Sequence, residues 1–238
     1  MMTAADLMRR AGILLQDEEN LRWPLSERAE WINEAVRAIC LAKPSAASKS
    51  IVLALQNGTL QKVPTQTYDN GDLPLALVRL IRNIDDALRP HNGGAIITIA
   101  GRSALDAQEP FWHSPNYNPF QREVVHYLYD EANPLEYYVY PGNDGTGHVE
   151  AVIAYCPAPV QVANAPDNIA SWNTPIGLPE PYSVPILDYM LFRALIKDDV
   201  TGNAGRAAAH LQLFQASLGT KIQIEGAASP NTSRVQQQ

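Results

Sequence analysis

Asp106, Glu109 and His113 lie close together in "LDAQEPFWH", and two carboxyls beside an imidazole are the ingredients of acid–base proton transfer. The same segment holds Phe111 and Trp112, and the reading the residues favour is a loop anchored by those two aromatics. The five histidines are His91, His113, His126, His148 and His210. None has a second histidine or a cysteine at metal-ligand spacing, so no zinc site is expected. His126 and His148 fall on neighbouring predicted strands, where they would meet across a sheet as structural residues. "GNDGTG" at 142–147 resembles a phosphate cradle but lacks the following Lys-Ser/Thr and helix, which leaves a hairpin turn. No serine stands in a G-x-S-x-G elbow. The sequence therefore assigns no catalytic, cofactor-binding or metal residue, and the expectation is a protein without enzyme activity and without a cofactor.

Tyr127, Tyr129, Tyr137, Tyr138 and Tyr140 crowd two predicted strands. A stacking platform for a sugar or a base is one reading. Cross-strand packing together with a subunit interface is the other, and it is the favoured one.

Composition narrows the function classes. The chain has 238 residues, 46% hydrophobic and 18% charged, which is ordinary for a globular protein with room for a buried core. Lysine and arginine number 18 against 25 acids, for a net charge of −7. That balance argues against a reader of nucleic acid that works by neutralising phosphates. No apolar run is long enough to span a bilayer, and Met1-Met2-Thr3-Ala4-Ala5-Asp6 lacks the layout of a signal peptide. Cys40 and Cys156 read as buried thiols.

The elements that must position these residues change character along the chain. Thr3, with Asp6 three residues on, predicts a capped helix to about Gln16, with Leu7, Ala11, Leu14 and Leu15 on its apolar side. Ser26 predicts the cap of a second helix, with Trp31, Ile32, Ala35, Val36, Ile39 and Cys40 on one face and Pro44 at its end. Asn57-Gly58 between two apolar runs predicts a hairpin. Residues 75–84 fit helical spacing or a buried strand, with the strand favoured by the flanking Pro74 and Gly93-Gly94. Residues 95–100 read as a strand, and Ser103 as the cap of one helical turn over 103–108. Segments 122–130, 136–142 and 148–157 alternate with period two and predict an antiparallel meander. Residues 157–181 are proline-rich, and an extended arm or surface strap is expected there.

Two more amphipathic helices follow, broken at Thr201-Gly202-Asn203. The first carries Leu187, Met190, Leu191, Ala194 and Leu195, and the second Ala207, Leu211, Phe214 and Leu218, with Gly219 as its stop. The fold class expected is α+β. A helical bundle over 1–45 and 182–220 is packed through Trp31, Ile32, Val36, Ile39, Leu187, Leu191, Leu195, Leu211, Phe214 and Leu218. A β-rich insertion covers 46–181, and an extended tail covers 221–238.

The ordered set of motifs resembles the head-to-tail adaptor (connector) proteins of tailed bacteriophages, the group similar to the podophage tail tubular protein A. The resemblance begins at "LLQDEENLRWPLSERAEWINEAVRAI", with its "LLQDE" helix end and its W-x-N-E-A helix. It continues through "RNI", "LDAQEPFWH", "EYYVYP" and "PILDYMLFRALIKDD" to "NAGRAAAHLQLFQASLG". The proline- and asparagine-rich insert near 161–176 departs from the pattern. The resemblance implies a virion neck protein, assembled in the host cytoplasm, that forms a homo-oligomeric ring of about twelve copies. Its implied partners are the portal protein, the tail tube or nozzle protein, and double-stranded DNA passing without sequence recognition, with no membrane involved. Its tail, with Ile222, Ile224, Pro230, Arg234 and Val235, is expected to dock on the portal. A glycan-binding tail module that uses the tyrosine-rich sheet is the alternative.

Overall fold

A computed structural model describes residues 2–64, 71–85, 93–130, 132–162, 164–198 and 203–228; the side chains of 221, 222 and 224–228 fall outside the description. The chain is mixed α+β and divides into two compact units, one of residues 1–46 with 157–238 and one of residues 47–156.

In the first unit, helix α1 (Ala4–Leu15) opens on the expected capping box: the Thr3 side chain accepts from the Asp6 N–H while Asp6 accepts from the Thr3 N–H. Ala4, Ala5, Leu7, Met8, Ala11 and Gly12 are its buried face, and Leu14 is exposed instead. The stripe therefore sits about one position away from the one read in the sequence. Helix α2 (Leu25–Ala42) follows Pro24, which makes no side-chain cap, so Ser26 is not the cap that was expected. The helix begins at Leu25, so Ser26 lies inside its first turn. Trp31, Ile32, Ala35, Val36, Ile39 and Cys40 are all buried.

Helix α4 (Ser183–Lys197) packs against α1, α2 and α5 (Asn203–Ala228). It buries Leu187, Met190, Leu191, Ala194 and Leu195, and α5 buries Ala207, Phe214 and Leu218 with Leu211 half-buried. Gly219 does not stop α5. The helix runs on to Ala228, so the first part of the expected extended tail is helical. Gly219 does not adopt positive φ, so no left-handed cap forms there.

Residues 157–181 belong with the helices rather than with the β-rich part, which moves the expected boundary. The segment is a packed strap: Val160, Trp172, Ile176 and Leu178 are buried. Thr3 bridges to Pro175, and Asn33 of α2 takes both sides of one strap residue, donating to the Val160 carbonyl at 3.1 Å and accepting from its N–H at 2.8 Å.

The second unit has two four-stranded sheets. Strands β1 (Ser48–Ala54), β8 (His148–Cys156), β3 (Leu73–Ile84) and β4 (Gly93–Ile96) form one, in that order. Strands β2 (Gly58–Lys62), β7 (Glu136–Asn143), β6 (His126–Tyr129) and β5 (Thr98–Ile99) form the other. Residues of both sheets, among them Leu53, Leu77, Leu80, Tyr127, Tyr137, Val139, Val149 and Ile153, share one buried core.

Three readings are corrected by this arrangement. Asn57-Gly58 joins β1 to β2, which lie in different sheets, so it is a sheet-to-sheet corner and not a hairpin. Only Gly58 of the pair has positive φ, at 118°, and the type I′ turn would need both. The Gln61 side chain holds the corner, donating to the carbonyls of Gln56 and Gly58 and accepting from the Gln56 N–H. The expected meander is likewise interrupted: β6 pairs with β7, but β8 crosses to the other sheet and 142–147 is a second corner. The strand read at 95–100 splits at the buried Ile97, one part in each sheet.

Candidate functional site

Helix α3 (Arg102–Gln108) begins after Gly101 with no side-chain cap, so Ser103 does not cap it as expected. It brings Asp106 toward Trp112, whose indole N–H donates to the Asp106 carboxylate at 2.9 Å. Glu109 accepts instead from Asn118, and His113 Nδ1 meets the Thr59 hydroxyl at 2.7 Å. Burial, and after it the Arg102 charge, lowers the His113 pKa against an opposing pull from Asp106. The three polar groups thus point to three different partners, each tying down the loop. Trp112 is buried and packs edge-on against Tyr138 and Tyr140, with ring centroids 5.9 and 6.4 Å away.

The tyrosines divide between the two faces of their sheet. Tyr127 and Tyr137 are buried in the sandwich core, with Tyr129 packed beside them. Tyr138 and Tyr140 pack on the cluster of Leu105, Trp112 and Leu128 on the opposite face. Arg102 also lies over the Tyr138 ring, 5.1 Å from its centroid. No continuous stacking platform results. Burial pushes the Tyr137 phenol well above its usual pKa.

His126 and His148 do not meet, since they stand in different sheets; His126 Nδ1 pairs with the Thr98 hydroxyl at 2.7 Å. His210 meets Asp188 at 2.9 Å, linking α5 to α4. His91 lies outside the described residues. Among those residues, no group of three or more His, Cys, Asp or Glu side chains is placed to hold a metal, and no helix is long and apolar enough to cross a membrane. Cys40 is buried and Cys156 is half-buried, both as thiols.

The loop between α1 and α2 holds a buried polar site. Arg28 is fully buried and donates to the Asp17 carboxylate at 2.8 Å, to the Asp17 carbonyl at 2.9 Å and to the Met8 carbonyl at 3.0 Å. Asp17 accepts in turn from the backbone N–H groups of Leu21, Arg22 and Trp23. Burial opposes ionisation of Asp17, yet the three N–H donors and Arg28 outweigh it and hold the carboxyl below its ordinary pKa. Burial pulls the Arg28 guanidinium down as well, and Asp17 counters it. A Cβ on Gly12 would lie 2.9 Å from the guanidinium, so glycine there makes room for it.

The "LLQDE" and "SERAEW" motifs are thus two halves of one buried ion pair, and W-x-N-E-A supplies the Asn33 clamp on the strap. The match to the model of the SU10 adaptor protein family runs from residue 2 to residue 236. The chain belongs to the SU10 adaptor protein family. Its role is that of a phage adaptor, a structural component of the virion. No curated protein matches the chain significantly.

Within this adaptor, the packing residues named from the sequence fall in the helical unit: Trp31, Ile32, Val36, Ile39, Leu187, Leu191, Leu195, Phe214 and Leu218 are buried, and Leu211 is half-buried. Of the expected portal-docking residues, Ile222 and Ile224 lie on the continuation of α5, with side chains outside the description. Pro230, Arg234 and Val235 lie outside the described residues altogether.

Sequence reasoning missed the adaptor's buried polar residues. Arg28 shares the 28, 32, 35, 39 stripe of α2, and Asn33 shares the 29, 33, 36, 40 stripe. A polar residue on an apolar stripe was the available signal. Asn143 and Asn83 carry no such signal. Asn143 bonds Gln121 and Arg122 on one side and Gly145 and Gly147 on the other, while Asn83 clamps Ala95 and Val124.

Proposed function

We propose that the chain is a head-to-tail adaptor of the kind represented by the podophage tail tubular protein A. Copies form a ring, twelvefold on the family resemblance, beneath the portal protein in the virion neck, after assembly in the host cytoplasm. The ring carries the tail tube or nozzle protein and surrounds the passage for double-stranded DNA. The observation that carries this reading is the adaptor-family match, which spans both compact units in one continuous stretch.

Several features support it. In this reading the helical unit forms the ring's body and residues 47–156, inserted in sequence between its two segments, form the part that meets the tail. On the same reading the C-terminal stretch with Ile222, Ile224, Pro230, Arg234 and Val235 would dock on the portal. A net charge of −7 per copy amounts to roughly −84 over twelve copies, which disfavours gripping of DNA. The glycan-binding alternative loses its support, because the five tyrosines do not share a face.

Mixing the full-length protein with purified portal tests the reading by native mass and electron imaging. A symmetric ring bound to the portal is the expected result. A chain that stays unbound across the accessible concentration range would overturn it.

A further inference from the structure

Among the exposed surfaces of the described helical unit, two differ in character. Ile13 and Leu21, 60% and 80% exposed, line an open hollow of about 330 Å³ together with Gln16, Asp17, Glu18 and Glu19. Glu18 and Glu19 are exposed and give the hollow an acidic rim. The loop is held in place: Gln16 and Asn20 adopt left-handed backbone at φ 56° and 57°, and the Asp17 carboxylate fixes the three N–H groups beyond them. The hollow is thus set before any partner arrives, which lowers the ordering cost of binding. On the solvent face of α2, Leu41 is 86% exposed, and Arg37, one turn earlier, is exposed beside it.

We propose that these patches are the two halves of one contact between neighbouring copies of this chain. Leu41 of one copy fills the Ile13–Leu21 hollow of the next, and Arg37 faces the Glu18–Glu19 rim. Leu41 meets Ile13 and Leu21, the two apolar side chains in a hollow otherwise lined by polar groups, and a cation meets two acids. This complementarity of charge selects a second copy over other occupants. The patches differ, so every copy offers one of each, and a head-to-tail series built this way closes into a ring when its rotation divides a full turn. The inference rests on the adaptor reading above and assigns the surface through which its ring is made.

Charge reversal with rescue tests it on the full-length protein, read as ring formation on purified portal. Glu18→Lys with Glu19→Lys, and separately Arg37→Glu, should each weaken assembly by about tenfold or more, because like charges then oppose. The three substitutions combined should recover most of the loss. Circular dichroism and thermal melts confirm that each variant is folded. Unmodified protein that rings on the portal while both reversed variants do so equally well would overturn this contact and leave the adaptor reading standing. Folded variants that lose assembly without rescue in the combination would overturn it too. Failure of the unmodified protein to ring would remove both readings together.

Discussion

Asp17 and Arg28 show how much one buried pair can organise. Removing one partner leaves the other charged and buried, a loss of about 3–5 kcal/mol in comparable sites. The Asp17 pKa is depressed in the fold, so its contribution is present above the unfolded carboxyl value of about 3.9 and is lost as pH falls through the folded value. Thermal melts of the full chain should therefore drop in acid, beginning near pH 4. An Asp17→Asn variant should be less stable at neutral pH and should show a weaker acid dependence. An unchanged acid dependence in that variant would show that other carboxyls govern it. The same carboxylate fixes the backbone of Leu21, Arg22 and Trp23 ahead of α2.

At the scale of elements, two segments behave differently from their local sequence. Gly219 reads as a helix stop, yet α5 passes through it, and a Cβ there would meet nothing within 4 Å. Gly219→Ala should therefore stabilise the protein by up to about 1 kcal/mol, whereas the same change at a left-handed cap would destabilise it. The sign of the change in melting temperature decides between the two. The strap is the second case. Its prolines suggest a loose arm, but Trp172 and Ile176 are buried and Asn33 holds Val160 by two hydrogen bonds. Asn33→Ala strands a buried N–H and a buried carbonyl, at a cost of about 2 kcal/mol or more. Limited proteolysis of that variant should cut first within 157–181; cleavage at the same sites and rates as the unmodified protein would count against the clamp.

For the whole molecule, the β-rich unit is entered and left at one place. Ser48 pairs with Ala154, and the Tyr155 N–H bonds the Ala47 carbonyl at 3.0 Å, so the unit's two ends lie side by side. With its own two-sheet core, residues 47–156 should fold when expressed alone, giving dispersed amide resonances and a cooperative melt. A collapsed fragment without cooperative unfolding would mean that the helical unit is needed to complete it.

What the sequence by itself determined was local: the Thr3–Asp6 capping box and the apolar faces of α2 and α4, while 75–84 fits helix as well as strand and is settled as β3 by its pairing. The box and the faces follow from caps and periodicity within one segment, and the order of the motifs pointed to the family. The tertiary structure alone decided which strands pair, that Asn57-Gly58 and 142–147 turn corners between sheets, and that Asp17 meets Arg28. Those outcomes depend on partners distant in the chain. A strand's edge groups are equally ready to bond any neighbour, and only the shared core of Leu53, Tyr137 and Val149 selects the pairing that buries all of them together.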